Sequence, residues 1–77
     1  MNAVRRKKLD KWLDKLDALY QELEGLYEEE QEAYDNIPES LLGSERAEQA
    51  EEAVDNLSEA LETIDEIADY VRDAIGE

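Results

Sequence analysis

Cysteine and histidine are both absent from this 77-residue chain. The lack of cysteine excludes a disulfide framework, thiol nucleophiles and the usual zinc sites, and it makes a reducing compartment the expected one. The lack of histidine excludes an imidazole base and the Glu-x-x-His motif with which helical bundles hold two metal ions. We therefore predict no metal site and no cofactor.

Glycine and proline are also scarce, at three residues and one residue. Gly25, Gly43 and Gly76 are too far apart to form a phosphate-binding loop. No Ser-x-x-Lys or Gly-x-Ser-x-Gly motif occurs, and rows of solvated carboxylates lack the distinct environments that a catalytic acid and base need. We therefore predict no catalytic residue and no enzyme activity.

Long hydrophobic runs are missing as well, since no apolar run exceeds three residues. The basic N-terminal stretch lacks the continuous apolar segment and the small-residue cleavage site of a signal peptide. The sequence thus predicts neither a membrane span nor a leader. A cytoplasmic protein without a membrane partner is the expectation.

Apolar residues are plentiful but dispersed, and they recur at helical spacing in two segments. The first segment has a heptad stripe of alternating three- and four-residue steps, formed by Leu9, Trp12, Leu16, Leu19, Leu23 and Leu26. An adjoining position, occupied every seven residues, widens that stripe with Leu13, Tyr20, Tyr27 and Tyr34. The second segment repeats the pattern with Ala50, Val54, Leu57, Leu61, Ile64, Ala68, Val71 and Ile75. Its smaller flanking positions are expected to receive the tyrosines and are Ala53, Ala60, Ile67 and Ala74.

Helix-breaking residues cluster only between these segments. Pro38 disfavours helical backbone at the residue before it and suits the first turn of a new helix. Gly43 can take a positive φ, and Ser44 can cap the helix that follows. The sequence therefore predicts an all-α helical hairpin that is a single domain over 1–77, with helix 1 at about 3–36, a loop at 37–44 that contains a short helical turn, and helix 2 at about 45–75.

The apolar stripes are wider than a contact between two helices can cover. We therefore expect two hairpins to associate as an antiparallel four-helix homodimer. The predicted core and dimer contacts are Trp12, Leu16, Leu19, Tyr20, Leu23, Leu26, Tyr27, Leu57, Leu61 and Ile64. Glu30 is the one acidic residue in the stripe, and it is either partly solvated near the loop or a polar group that selects the pairing of the helices.

Charge is divided unevenly along the chain. Six of the eight basic residues lie within the first fifteen positions, whereas residues 16–77 carry 21 of the 23 carboxylates. A hairpin would bring the basic end beside the acidic end of helix 2, and we expect Lys8, Lys11 and Lys15 to lie near Asp73, Asp69 and Glu66. A nucleic-acid-binding arm or a membrane-surface helix is the alternative for the basic segment.

The acidic surface is the main functional clue, because net charge of this size affects partner choice rather than fold. Carboxylates step by three or four residues along helix 2, which places neighbours about 5–6 Å apart. This acidic ridge consists of Glu45, Glu48, Glu52, Asp55, Glu59, Glu62, Glu66, Asp69 and Asp73. One interpretation is a solvated face that keeps the protein soluble; the other is a mimic of nucleic acid that occupies a basic groove. Direct DNA binding through the ridge is excluded by the sign of its charge.

The loop is a second candidate contact surface, formed by Tyr34, Asp35, Leu41, Leu42 and Arg46. Its apolar side chains, together with Ile37, either close the end of the core or dock a partner.

The segment EEEQEAYDNIPESLLGSERAE at 28–48 resembles a loop found in small uncharacterised acidic hairpin proteins of Firmicutes and their phages. The general type is similar to phage anti-defence proteins, which include anti-CRISPR proteins and DNA mimics. The resemblance implies a phage- or prophage-encoded inhibitor in a bacterial host cell, with a basic nucleic-acid-binding protein or a defence nuclease as its partner. A structural or assembly module that only oligomerises is the alternative.

Overall fold

Two long helices lie antiparallel in the computed structural model, which describes residues 1–76. Helix α1 spans Ala3–Asp35, a single 3₁₀ turn spans Glu39–Leu41, and helix α2 spans Glu45–Gly76. The Cα trace measures 59 × 16 × 12 Å, so the molecule is a flat rod. The predicted all-α hairpin is confirmed, and its helices end within one residue of the expected positions.

Side-chain caps define where the helices begin. The Asn2 side chain accepts a hydrogen bond from the Arg5 backbone N–H at 2.8 Å, and the Ser44 hydroxyl accepts one from the Ala47 N–H at 3.2 Å. Both contacts satisfy N–H groups that have no partner within the helix itself. Ser44 therefore caps α2 as its sequence position predicts.

The connection between the helices needs no left-handed residue. The backbone N–H groups of Leu41, Leu42 and Ser44 each donate to the carbonyl three residues earlier, at 2.8, 3.2 and 3.0 Å. These tight turns reverse the chain with φ negative at every glycine that the structure describes. Gly43 therefore does not use the positive φ that a glycine could adopt at this position.

A single line of side chains on α2 forms the centre of the helix–helix core. Ala47, Val54, Leu61 and Ala68 are buried and lie seven residues apart. The α1 side of the core is half-buried and consists mainly of Leu9, Leu13, Leu16, Tyr20, Leu23, Tyr27 and Tyr34. The small side chain of Ala68 lies beside Tyr20, so a larger side chain of α1 is accommodated there.

The neighbouring stripe of α1 faces away from this core. Trp12, Leu19 and Leu26 are 42, 57 and 52% exposed, although the heptad pattern groups them with Leu16 and Leu23. Two adjoining apolar stripes can each satisfy a heptad, and one partner helix covers only one of them fully. Within one chain, the tyrosine stripe is the covered one.

Tyr20 does not enter the alanine-rich flank of α2 as expected. Tyr20 lies beside Asp65 and Ala68, in a shallow groove that Leu13 and Arg72 also line. Asp65 and Arg72 each follow a buried residue of α2 by four positions, whereas Ala53 precedes a buried residue by one position. Around a helix these two offsets lie on opposite sides of the buried line. The interpretation of that flank as the site of Tyr20 is therefore wrong.

Candidate functional site

The acidic ridge is fully exposed along α2. All nine of its carboxylates, from Glu45 to Asp73, are exposed, and they lie on the side of the helix away from the buried line of Val54 and Leu61. Glu45 and Glu48 occupy the first turn of α2, where negative charge interacts favourably with the helix dipole. The ridge can therefore contact a partner along the whole length of the rod without any rearrangement of the core.

The ridge carboxylates are almost entirely without cationic partners. The one ion pair within residues 1–76 joins Arg72 to Asp69 at 3.3 Å, with both side chains largely exposed. An exposed pair of this kind contributes roughly 0–1 kcal/mol. The negative field of α2 is thus scarcely neutralised by the chain's own basic residues.

The basic end forms no ion pair with α2 among the residues that the structure describes. Lys8, Lys11 and Lys15 make no ion pair with Asp73, Asp69 or Glu66 there. Fixing two long exposed side chains costs conformational entropy, and the Coulomb energy in water does not compensate for it. Lys8 and Lys15 are exposed, and their positions lie four residues before Trp12 and Leu19 on the same side of α1.

The groove around Tyr20 has a distinct electrostatic environment. Burial between the helices raises the pKa of the Tyr20 hydroxyl above its ordinary value of 10.0, and the carboxylates of Asp65 and Glu24 raise it further. Asp17 and Arg72 lie in the same groove. We call this side of the hairpin the polar face, defined by Asp10, Asp17 and Glu24 on α1 and by Glu51, Ser58, Asp65 and Arg72 on α2.

The loop residues divide into a packed pair and an exposed pair. Tyr34 and Ile37 are half-buried at the end of the core, whereas Leu41 and Leu42 are 52 and 44% exposed. Asp35 accepts a hydrogen bond from the Gln31 amide at 3.1 Å. Arg46 is exposed and borders a groove with Ile37 and Leu41. Leu41 and Leu42 are accessible to a partner in this arrangement.

Glu30 is half-buried in the core near the loop and lines a groove with Arg46 and Gln49. Its carboxylate has neither an ion pair nor a side-chain hydrogen bond among residues 1–76. No group of three or more acidic side chains in that range could hold a metal ion. Neither helix is long and apolar enough to cross a membrane over the same residues.

A second surface was not recognised as one unit from the sequence. The exposed stripe of α1 and one side of α2 border a common groove, lined by Leu19, Leu23, Leu26 and Ile64. We call this side the open face, and its apolar members are Trp12, Leu19, Leu26, Leu57, Ile64, Ile67 and Val71. The heptad spacing identifies this apolar stripe, but not the side of the hairpin on which it lies. That depends on which stripe of α1 packs against α2.

Comparison with known proteins adds no relative. No protein-family profile, curated protein or solved structure matches this chain.

Proposed function

We propose that this protein is a non-catalytic binding protein whose acidic ridge occupies the basic nucleic-acid-binding surface of a protein partner and inhibits or modulates it. The observation that supports this proposal is the continuous row of nine exposed carboxylates on α2, of which Asp69 alone has a cationic neighbour within residues 1–76.

The rod carries a high negative charge per unit length. Its net charge of −15 over 59 Å is roughly one charge per 4 Å of axis, a little under half the density of duplex DNA, which has about one phosphate per 1.7 Å. A groove lined with lysine and arginine to hold a phosphate backbone would attract such a rod over distances of about 10 Å at moderate ionic strength. The sign of the charge favours a basic protein over a nucleic acid as the partner.

The biological setting follows from the resemblance of the loop to proteins of Firmicutes and their phages. We place the protein in the cytoplasm of a bacterial host, encoded by a phage or prophage. An anti-CRISPR or anti-restriction inhibitor of this kind would have a defence nuclease as its partner. The chain would then act by occupying the DNA-binding groove, which requires no catalytic group.

Affinity capture from a bacterial lysate, followed by mass spectrometry, is the first test. The proposal expects nucleic-acid-binding proteins to be recovered at low salt and lost at moderate salt, because interactions between exposed charges are screened. Recovery of proteins without any nucleic-acid function would contradict it.

A matched pair of variants then assigns the binding to the ridge. The isosteric triple change Glu52→Gln, Glu59→Gln and Glu66→Gln removes three ridge charges, and Asp10→Asn, Asp17→Asn and Glu24→Gln remove three from the polar face. The affinity for the captured protein should fall by at least about tenfold in the first variant, since each close charge pair at an interface carries substantial coupling energy. Equal losses in both variants would show that only net charge matters.

A structural or assembly module is the second candidate, and the open face favours it specifically. An apolar contact through Trp12, Leu19 and Leu26 would change little with ionic strength, in contrast to a contact through the ridge. The salt dependence of binding therefore distinguishes the two candidates.

A further inference from the structure

We propose that the open face is a self-association surface, on which a second copy of the chain packs antiparallel. The two copies are related by a two-fold axis that lies in the interface and runs across the helices from Leu19 to Ile64. The inference goes beyond the proposed function and does not depend on it, because the acidic ridge lies on a different side of α2. Four observations support it.

The core within one hairpin is too small for the apolar residues that surround it. Within residues 1–76 only four side chains are buried, and two of them are alanines. Trp12, Leu19 and Leu26 remain exposed in one line on the open face, whereas monomeric soluble proteins seldom leave a contiguous apolar patch of this kind uncovered. Chains of this size often gain the missing burial by oligomerisation.

The dimensions of the open face match those of a stable interface. The broad side of the hairpin extends over 59 × 16 Å, a projected area of roughly 900 Å², which is large enough to hold a standard interface of about 800 Å² on each partner. One further hairpin of the same length and width would cover it completely. A single helix from another protein would cover about half of its width.

The large apolar side chains are arranged symmetrically about the centre of this face. Leu19 and Ile64 line one groove at that centre. Trp12 and Leu26 lie seven residues to either side of Leu19. Leu57 and Val71 lie seven residues to either side of Ile64. A two-fold axis through the groove therefore places Trp12 opposite Leu26 of the second copy and Leu57 opposite Val71 of the second copy, as a self-complementary interface requires.

The charges along the edge of α1 select the antiparallel orientation. This edge is formed, at seven-residue steps, by Lys8, Lys15, Glu22 and Glu29. The same axis brings Lys15 opposite Glu22 of the second copy and Lys8 opposite Glu29. The corresponding edge of α2 is uncharged and consists of Gln49, Asn56, Thr63 and Tyr70. If both basic ends lay together, α1 would face this neutral edge, and the lysines would have no opposite charge across the interface.

The orientation can be tested by cross-linking, because the natural chain has no cysteine. In the proposed arrangement Leu19 faces its own copy across the axis, so Leu19→Cys should form an intermolecular disulfide under mild oxidation. Asp17→Cys, on the polar face, should not. A dimer of Leu19→Cys that stays uncross-linked would overturn the antiparallel arrangement.

The proposed charge pairs across the interface can be tested by exchanging the charges of their two members. Lys15→Glu alone and Glu22→Lys alone each place like charges together twice in the dimer, and each should raise the dissociation constant on the order of tenfold. The combined variant Lys15→Glu with Glu22→Lys should restore it. Failure of the combination to recover affinity would remove the orientation argument.

Whether a second copy occupies the open face is tested by measuring the mass of the protein in solution. Sedimentation equilibrium should give twice the chain mass at micromolar concentration, and the emission of Trp12, the single tryptophan, should shift to the red on dilution as its ring becomes solvated. Leu19→Lys should weaken association at least about 100-fold, while Asp17→Lys should not. A monomeric natural chain that still melts cooperatively would refute self-association. So would a stable complex in which another protein occupies the open face in preference to a second copy.

Discussion

The polar face and the open face are built from the same two helices, but they differ in how far their apolar side chains are covered. On the polar face, the tyrosine stripe packs against α2 and is bordered by Asp17, Asp65 and Arg72. On the open face, Trp12, Leu19 and Leu26 are 42, 57 and 52% exposed, although Glu22 borders the same groove. The difference is the basis for the proposal that the open face contacts a second copy of the chain.

Both faces depend on the buried line of α2, so its disruption is expected to have the largest effect. Leu61 is one of the two large side chains buried there. Leu61→Ala removes a buried isobutyl group, which costs about 2–5 kcal/mol, and a core in this size range supplies roughly 3–5 kcal/mol. Circular dichroism should show a largely unfolded chain at room temperature. Leu42→Ala, in the exposed part of the loop, serves as the control and should melt as the natural chain does.

Making the polar face apolar should abolish the difference between the two faces. Asp17→Leu combined with Asp65→Leu extends the tyrosine stripe into a second apolar surface, and a protein with two such surfaces can associate without closing. Sedimentation velocity should show species larger than a dimer. Glu59→Leu with Glu66→Leu makes the same change in charge on the ridge, where no apolar stripe adjoins. If both variants behave alike, loss of charge rather than the new face causes the association.

The loop end belongs to neither face, and its role can be separated from theirs. Because Leu41 and Leu42 are exposed, changing both to serine should alter stability by only about 0.5 kcal/mol per site or less. If the loop docks a partner, the same variant should lose binding while its melting temperature stays nearly constant. A large fall in melting temperature would show instead that these leucines close the core.

The sequence predicted the fold because its separate signals indicate the same structure. Heptad spacing, the Pro38 break and the Ser44 cap all indicate two helices with a turn between them, and the structure has its helix ends at the expected places. The arrangement of the acidic ridge as a row on one helix could also be predicted, since it depends only on helical periodicity.

The pairing of the faces could not be predicted in the same way. Leu19 and Tyr20 both satisfy a heptad, and the choice between them depends on how each packs against Val54, Leu61 and the small alanines of α2. That choice is a tertiary property of two surfaces in contact. The proximity expected between the basic end and α2 does not produce ion pairs for a related reason, because antiparallel packing brings two backbones together without fixing the ends of exposed lysines.

The smallest expected effect is a titration on the polar face. Burial between the helices and the carboxylates of Asp65 and Glu24 raise the pKa of Tyr20 above 10.0, so the folded chain holds this proton more tightly than the unfolded chain does. The resulting contribution to stability is complete below the unfolded pKa and is lost as the pH rises through the folded value. Tyrosinate absorbance near 295 nm should therefore lose its highest-pH component in Tyr20→Phe. Tyr70→Phe, which removes an exposed tyrosine, should retain that component, and a titration in which the two variants coincide would mean that Tyr20 is not shielded on the polar face.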